Sequence, residues 1–447
     1  MVRPSPSPEP GTTTRGTIKL SSFDLSLYKV PSTLLLVFEH PIPDAAATIQ
    51  GALSRALAHY YPIAGRIIIA GAGAGTAGAD DDDDVRIDCT DEGVAFVAAS
   101  SDHALNEAIC FDRSPGASRK LLDGLAVYYD DDPAMGGCGA PGEPLLLVQV
   151  TEFSCGGFVL GVTWNHGVAD GVGMGQFLRA VGDLAAAAGG KTTPSSPSSS
   201  LLPPPPPVRW DGSLPSLPPS VLEAQQHMRG LDPLTGIVTL DITIPMQSIN
   251  RVRAELMSSS SSSLHGQPCT TFEVVLAVLW RCRERAIRLH PETPTLLIFV
   301  ANVRKHVGAK EGYYGNCIAE QVVTAKSGAV AEGDLEDVVM VIQRAKDRIP
   351  ERLNGEDEGG VMGKEELRMM YTYERLMLIT SWRNLGFDEV DFGSGTPARV
   401  TTSAKDGPPS PAALGFVCSG RDGVNVLSAL VKQEHPDAFQ AELAKFM

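Results

Sequence analysis

No stretch of this chain approaches the roughly 18 consecutive apolar residues that read as a membrane-spanning helix. Residues 1–16 are rich in Pro, Ser and Thr and carry no apolar leader core. Neither membrane insertion nor secretion is expected, and the chain reads as cytosolic. Cysteine is sparse and scattered: Cys89, Cys110, Cys138, Cys155, Cys269, Cys282, Cys317 and Cys418 form no CxxC pair and have no histidine at ligand spacing. That pattern encodes neither a disulfide framework nor a zinc site, so no metal is expected and the thiols read as reduced. Positive charge is in deficit, 37 Lys and Arg against 53 Asp and Glu, for a formal net charge of -16. Such a field repels nucleic-acid backbones and anionic membrane faces, and a small anionic ligand would need a local basic patch. Two motifs are missing as well. No GxSxG elbow supplies the nucleophile of a Ser-His-Asp hydrolase, and no P-loop cradles a nucleotide phosphate.

What is present is ordinary globular composition, 43% hydrophobic, over 447 residues, which is too long for one core and predicts two large or three smaller units. Three segments do not read as core. Residues 69–84 run through Gly and Ala into the aspartates 80–84 and read as a solvated hairpin tip. Residues 189–219 pass from a Ser/Thr/Pro cluster into Pro203 to Pro207 and read as a semi-extended connector. Residues 258–263 are a polar Ser loop. Only the second is long enough to cross between domains, which predicts an N-terminal domain over 1–188, a crossover over 189–219 and a C-terminal domain over 220–447.

Periodicity fills in the elements. Residues 45–61 space their apolar side chains as a helix ending at Pro62. Residues 145–150 and 158–164 flank Ser154-Cys155-Gly156-Gly157 and read as a hairpin, with Phe158, Leu160, Val162 and Trp164 on one face. Met174, Phe177, Leu178, Val181 and Leu184 recur at three and four, predicting a helix beyond Asp170. Thr270 and Glu273 match a capping box that opens a helix over 272–289. Strands are predicted over 237–244, 296–303, 376–381, 414–418 and 424–431, and a closing helix over 436–446. Strands and helices mix without a regular βαβ period.

The sharpest local feature is Trp164-Asn165-His166-Gly167-Val168-Ala169-Asp170, where a strand ends and a helix begins around a histidine. Histidine suits proton removal near neutral pH, and Gly167 and Ala169 leave room for a substrate. HxxxD is weak by itself, since nine His and 53 acids in 447 residues give about one carboxylate by chance at any fixed offset from a histidine. Asp170 reads equally well as a helix N-cap. The other eight histidines are solitary, so a lone general base without a protein nucleophile fits direct transfer to a bound acceptor best. A second cluster, Asp391-Phe392-Gly393-Ser394-Gly395, reads as a tight turn after a strand. A third, Asn302-Val303-Arg304, ends a strand near Gly312-Tyr313-Tyr314-Gly315-Asn316-Cys317, and Arg304 could pair with an acid such as Asp170.

Taken in order along the chain, these clusters resemble the plant BAHD acyltransferase family over essentially the whole length. HxxxD is His166 to Asp170, the family's DFGWG is Asp391 to Gly395, and the NxR, Gly-Tyr-Tyr-Gly-Asn and Ser-Trp elements lie between. Leu20-Ser21-Ser22-Phe23-Asp24 and Tyr60-Tyr61-Pro62-Ile63-Ala64-Gly65-Arg66 match its N-terminal elements. The resemblance implies an α/β, two-domain, chloramphenicol-acetyltransferase-like fold with mixed sheets and a channel between the domains. It implies His166 as general base and Asp170 as a structural residue held through Arg304. Asp391, Gly393 and Gly395 are then structural too, and Thr380, Ser381 and Ser394 border the channel or the oxyanion. Ser394 departs from the pattern, standing where the family has tryptophan. Acyl-CoA is implied as co-substrate, with Arg251, Arg253, Thr270 and Thr271 as its contacts, and no permanently bound cofactor. An alcohol or amine is implied as acceptor, aromatic acyl groups (benzoyl or hydroxycinnamoyl) are expected before acetyl or malonyl, and the protein is expected to act as a monomer. The competing readings are a non-catalytic small-molecule binder on the same fold and acyl transfer of the carnitine or chloramphenicol type.

Overall fold

The structure is a computed structural model. It describes residues 1–5, 16–69, 84–106, 122–130, 137–190, 205–219, 221–222, 225, 236–258, 269–355, 369–403, 412–417 and 423–447. Most of the aspartate run, the Ser/Thr/Pro cluster and most of the Ser loop named above lie outside the described residues. The strands are β1 (Thr17–Lys19), β2 (Pro31–Phe38), β3 (Arg66–Ile69), β4 (Val85–Asp88), β5 (Ala95–Ser101), β6 (Leu146–Phe153), β7 (Phe158–Asn165), β8 (Ile237–Pro245), β9 (Pro294–Asn302), β10 (Ile318–Lys326), β11 (Leu376–Ser381), β12 (Arg399–Thr401), β13 (Ala412–Val417) and β14 (Gly423–Lys432). Among the described residues no helix is long and apolar enough to cross a membrane.

The chain divides into two compact units that do not follow one cut in the sequence. Unit 1 comprises Met1–Ser216, Gly308–Cys317 and Asn384–Lys405; unit 2 comprises Leu217–Val307, Ile318–Arg383 and Asp406–Met447. The turn 391–395 thus belongs to unit 1, although it lies within the sequence span expected for a C-terminal domain. Packing supplies the reason. Phe392 sets its ring edge-on against Phe38 at 5.2 Å, and β12 pairs antiparallel with β2.

Unit 1 is built on a five-stranded sheet, β12-β2-β7-β6-β5, beside a three-stranded sheet, β1-β4-β3. The hairpin β6–β7 forms as its apolar runs predict. The alternation expected along β7 is absent, however, because all eight of its residues are buried. One cause is close backbone approach: a Cβ on Gly161 would lie 2.1 Å from the carbonyl oxygen of Leu125. β2 (PSTLLLVF) is likewise buried along most of its length, and a continuous apolar run carries no period to read. The helices Ala45–His59 and Gly171–Ala188 pack in the same unit, with Tyr60 edge-on to Phe177 at 5.2 Å.

Unit 2 holds a six-stranded mixed sheet, β10-β9-β11-β13-β14-β8, in which β11 runs parallel to both neighbours. The helix Thr271–Ile287 is capped as predicted, with Thr270 accepting from the Glu273 N–H and Glu273 accepting from the Thr270 N–H. β10 gave no sequence signal, because its inward residues Ala319, Gln321 and Val323 are small, polar and apolar in turn.

The helix Gly171–Ala188 approaches its neighbours in unit 1 through glycines. A Cβ on Gly173 would lie 1.8 Å from the Tyr314 carbonyl oxygen, and one on Gly175 would lie 1.9 Å from that of Leu385. Gly173→Ala is therefore expected to destabilise the protein by about 1–3 kcal/mol through overpacking. Helix propensity alone would predict a gain of about 0.5–1 kcal/mol, so the sign of the shift in urea midpoint decides between close packing and slack at this contact.

Candidate active site

His166 stands where β7 stops, and the residue before it explains the stop. Asn165 turns its side chain back on the chain, donating from Nδ2 to the Tyr28 carbonyl at 2.6 Å and accepting the Gly167 N–H at 2.9 Å. The His166 N–H is held by the Val30 carbonyl at 2.9 Å. Gly167 is required here, since a Cβ would lie 2.6 Å from Tyr28 Cα. The backbone of His166 is fixed on both sides while its ring, 6.3 Å from that of Trp164, stays half-buried.

Asp170 caps the next helix. One carboxylate oxygen accepts the Gly173 N–H at 3.0 Å and the other accepts the Cys317 N–H at 3.0 Å. The same side chain therefore starts a helix and ties down the segment 308–317, which brings Asn316 to the histidine. His166 Nδ1 and Asn316 Oδ1 are 3.0 Å apart, and Asn316 Nδ2 donates to the His166 carbonyl at 2.7 Å and to Asp24 Oδ1 at 2.8 Å. Among the described residues the other ring nitrogen, Nε2, makes no hydrogen bond. Burial lowers the pKa of His166 from the ordinary histidine value, opposed by the charge of Asp170 and more weakly by the Asn316 hydrogen bond and the charge of Asp24. The net effect favours a neutral imidazole, the form that accepts a proton.

Behind this pair lies a buried ion pair. Arg209 reaches Asp24 Oδ2 at 3.2 Å and donates to the Gly167 carbonyl at 2.8 Å. Burial works against the Arg209 guanidinium, but the Asp24 carboxylate and the nearby tyrosines outweigh it and its pKa is raised. Arg209 sits at the end of the Pro-rich segment read from sequence as a connector. The end of that segment packs in unit 1, where the Val208 N–H bonds the Gly312 carbonyl and the Tyr314 N–H bonds the Val208 carbonyl, both at 2.9 Å. A cavity of about 510 Å³ in the same unit is lined by Lys19, His59 and Arg86 among others, with Arg209 and Tyr314 in its wall. Arg86 is paired with Asp84 at 2.7 Å.

The remaining candidates fall in both units. In unit 1, Asp391 Oδ1 accepts the N–H groups of Gly393 at 2.6 Å and Gly395 at 2.9 Å, and both glycines have positive φ, 108° and 109°. Ser394 Oγ is buried in that turn without a hydrogen-bond partner among the described residues. In unit 2, Arg304 opens the short helix Arg304–Val307 and its N–H is held by Asn302 Oδ1 at 3.1 Å. Thr380 and Ser381 end β11, where Ser381 Oγ accepts the Arg383 N–H at 3.4 Å. Arg253 bonds Thr271 Oγ1 at 3.0 Å, Thr270 is engaged as helix cap, and Arg251 donates to the Phe446 carbonyl at 2.8 Å. Sequence reasoning assigned no role to Asp24, Arg209 or Asn316. The strings Leu20-Ser21-Ser22-Phe23-Asp24 and Gly-Tyr-Tyr-Gly-Asn were the available signals for two of them.

The pattern of the Transferase family matches residues 5–441. Acyl transferase 15 of Oryza sativa subsp. japonica is 40% identical over 458 residues, covering 100% of this chain and 96% of its own. Taxadien-5-alpha-ol O-acetyltransferase of Taxus chinensis is 29% identical, covering 90% of this chain and 84% of its own. Among solved structures, vinorine synthase superposes with a TM-score of 0.68 at 21% identity, covering 100% of this chain and 96% of its own. The F. sporotrichioides TRI101 complexed with coenzyme A and T-2 gives 0.68 at 17% identity, covering 96% and 98%. The fold is the mixed α/β, two-domain, chloramphenicol-acetyltransferase-like one of those structures. With a pattern match from end to end and a full-length relative at 40% identity, the chain belongs to the Transferase family, the BAHD acyltransferases, and is an acyl-CoA dependent acyltransferase.

Proposed function

We propose that this enzyme transfers an acyl group from a coenzyme A thioester directly to an alcohol or amine, with His166 as general base. The observation that carries the reading is the histidine itself: Nδ1 is engaged by Asn316, Nε2 makes no hydrogen bond among the described residues, and burial keeps the ring neutral. Nε2 takes the proton of the acceptor O–H or N–H as the oxygen or nitrogen attacks the thioester carbonyl. The tetrahedral intermediate then collapses, the C–S bond breaks, and the imidazolium returns its proton to the departing CoA thiolate. The products are an ester or amide and free coenzyme A, with no protein nucleophile consumed. Arg253 and Thr271, paired at the N-terminus of the helix Thr271–Ile287, are the proposed contacts for a CoA phosphate. The protein is proposed to work as a cytosolic monomer.

The donor is proposed to be aromatic, benzoyl or hydroxycinnamoyl, ahead of acetyl or malonyl. Relatives of equal similarity divide on this point: at 29% identity stand both the Taxus O-acetyltransferase and a 6'-O-caffeoyltransferase from Crocosmia x crocosmiiflora. A panel of acyl-CoAs crossed with phenolic alcohols and amines tests the assignment, with His166→Ala as control. Turnover should fall by at least about 100-fold in the variant, the lower end of what a general base contributes. Retention of a tenth of the wild-type rate moves the chemistry elsewhere, and no turnover by the wild type across the panel favours a binding protein.

The lowered pKa of His166 fixes the sign of the pH dependence. The base acts only when unprotonated, so kcat/KM should be level above about 6.5, the ordinary histidine value, and fall tenfold per pH unit only below it. An acid limb centred above that value contradicts a buried His166 as the base.

Asp170 is proposed to hold the site together with Arg304. A double-mutant cycle of Asp170→Asn and Arg304→Ala, read as kcat/KM, should be non-additive by about 0.5 kcal/mol or more if the two act as one interaction. Additive losses retire that pairing and leave the helix cap and the Cys317 N–H among the contacts of Asp170.

A further inference from the structure

We propose that Asp24 and Arg209 are positioning residues that set the tautomer of His166 through the amide of Asn316. The inference rests on His166 being the base and adds what makes Nε2 the basic nitrogen.

Asn316 is fully buried, and its amide has one accepting end and one donating end. The donating end faces two groups that can only accept, the Asp24 carboxylate at 2.8 Å and the His166 carbonyl at 2.7 Å. The Asn316 backbone N–H bonds the same Asp24 oxygen at 3.2 Å, which fixes where the side chain begins. A flipped amide would set its oxygen against two acceptors, so the hydrogen-bond network permits one orientation. That orientation presents Oδ1 to His166 Nδ1 at 3.0 Å. An acceptor there requires a proton on Nδ1, and a neutral imidazole with Nδ1–H carries its lone pair on Nε2.

Arg209 holds Asp24 in place from the other side, at 3.2 Å from Oδ2, and it also bonds the carbonyl of Gly167, the residue after the histidine. Ser21 completes the shell, donating to Asp24 Oδ2 from its N–H at 2.9 Å and its hydroxyl at 2.7 Å. The path from Arg209 through Asp24 and Asn316 to His166 thus joins segments distant in sequence.

The test is the tautomer itself. With histidine labelled at both ring nitrogens and the His166 signals assigned by difference against His166→Gln, wild-type protein at pH 8 should show a protonated Nδ1 and an unprotonated Nε2. Asp24→Asn should shift His166 toward the other tautomer or a mixture, and should lower kcat by about tenfold or more, within the range a general base contributes, with KM for either substrate little changed. Circular dichroism checks that the variant folds. If it does not, Asn316→Ala is measured in its place, with the same loss of Nδ1–H preference expected. Wild-type His166 protonated on Nε2, or an Nδ1–H signal that survives in the folded variant, overturns the proposal. Failure of the His166→Ala control would instead remove the general-base reading and leave the tautomer measurement standing.

Discussion

Asp24 is a carboxylate with no exposed surface, and the active-site end of unit 1 is arranged around answering its charge. Breaking a buried ion pair by removing one partner costs about 3–5 kcal/mol, because the other charge is left in a medium that cannot solvate it. Each of its oxygens is accordingly bonded by more than one donor: Asn316 binds one through both its backbone and side-chain N–H groups, and Ser21 and Arg209 bind the other. Three stretches of chain must therefore be in place together. The N-terminal stretch brings Asp24, the end of the Pro-rich segment brings Arg209, and the segment 308–317 brings Asn316. β7 and the Asp170 cap then set His166 against them.

Much of this was legible in the sequence, and the limits are physical. The hairpin and the helix after it were visible because local apolar runs and a capping residue announce themselves within a dozen positions. His166 and Asp170 came with them. The partnership of Asp24 with Asn316 spans 292 residues and that of His166 with Asn316 spans 150, and neither periodicity nor composition encodes such distances. Family strings drew attention to both places without saying what the residues touch. Arg209 was hidden differently. A Pro-rich run reads as a semi-extended connector, and one buried arginine at its end does not alter that composition. The same reasoning explains the turn 391–395: its own glycines and aspartate predict a turn, but only Phe392 packing on Phe38 shows which unit the turn serves.

The spacing HxxxD also takes a specific meaning. Two side chains four apart across a strand-to-helix junction do not share a helix face, so the motif need not be a catalytic pair in contact. Asp170 caps the helix and holds the Cys317 N–H, placing it beside the segment that carries Asn316. Its charge reaches His166 through space and raises the imidazole pKa against burial. One carboxylate therefore serves geometry directly and basicity at a distance, which explains why the histidine's immediate partner can be an uncharged amide.

That amide has a further consequence for the chemistry. An aspartate on Nδ1, as in hydrolase triads, stabilises the imidazolium strongly and raises the pKa of the base. Asn316 orients the ring with less electrostatic effect, and the carboxylate behind it is compensated by Arg209. Burial lowers the His166 pKa, and the imidazole is a weaker base than one paired directly with a carboxylate. Its conjugate acid is correspondingly stronger, and the leaving group needs little help from it. A thiolate departs more readily than an alkoxide or an amide anion, since its parent acid has a pKa near 8.5 in ordinary thiols. In the proposed mechanism what the general base must supply is then orientation of Nε2 toward the acceptor, and the buried network from Arg209 to Asn316 is the proposed source of it.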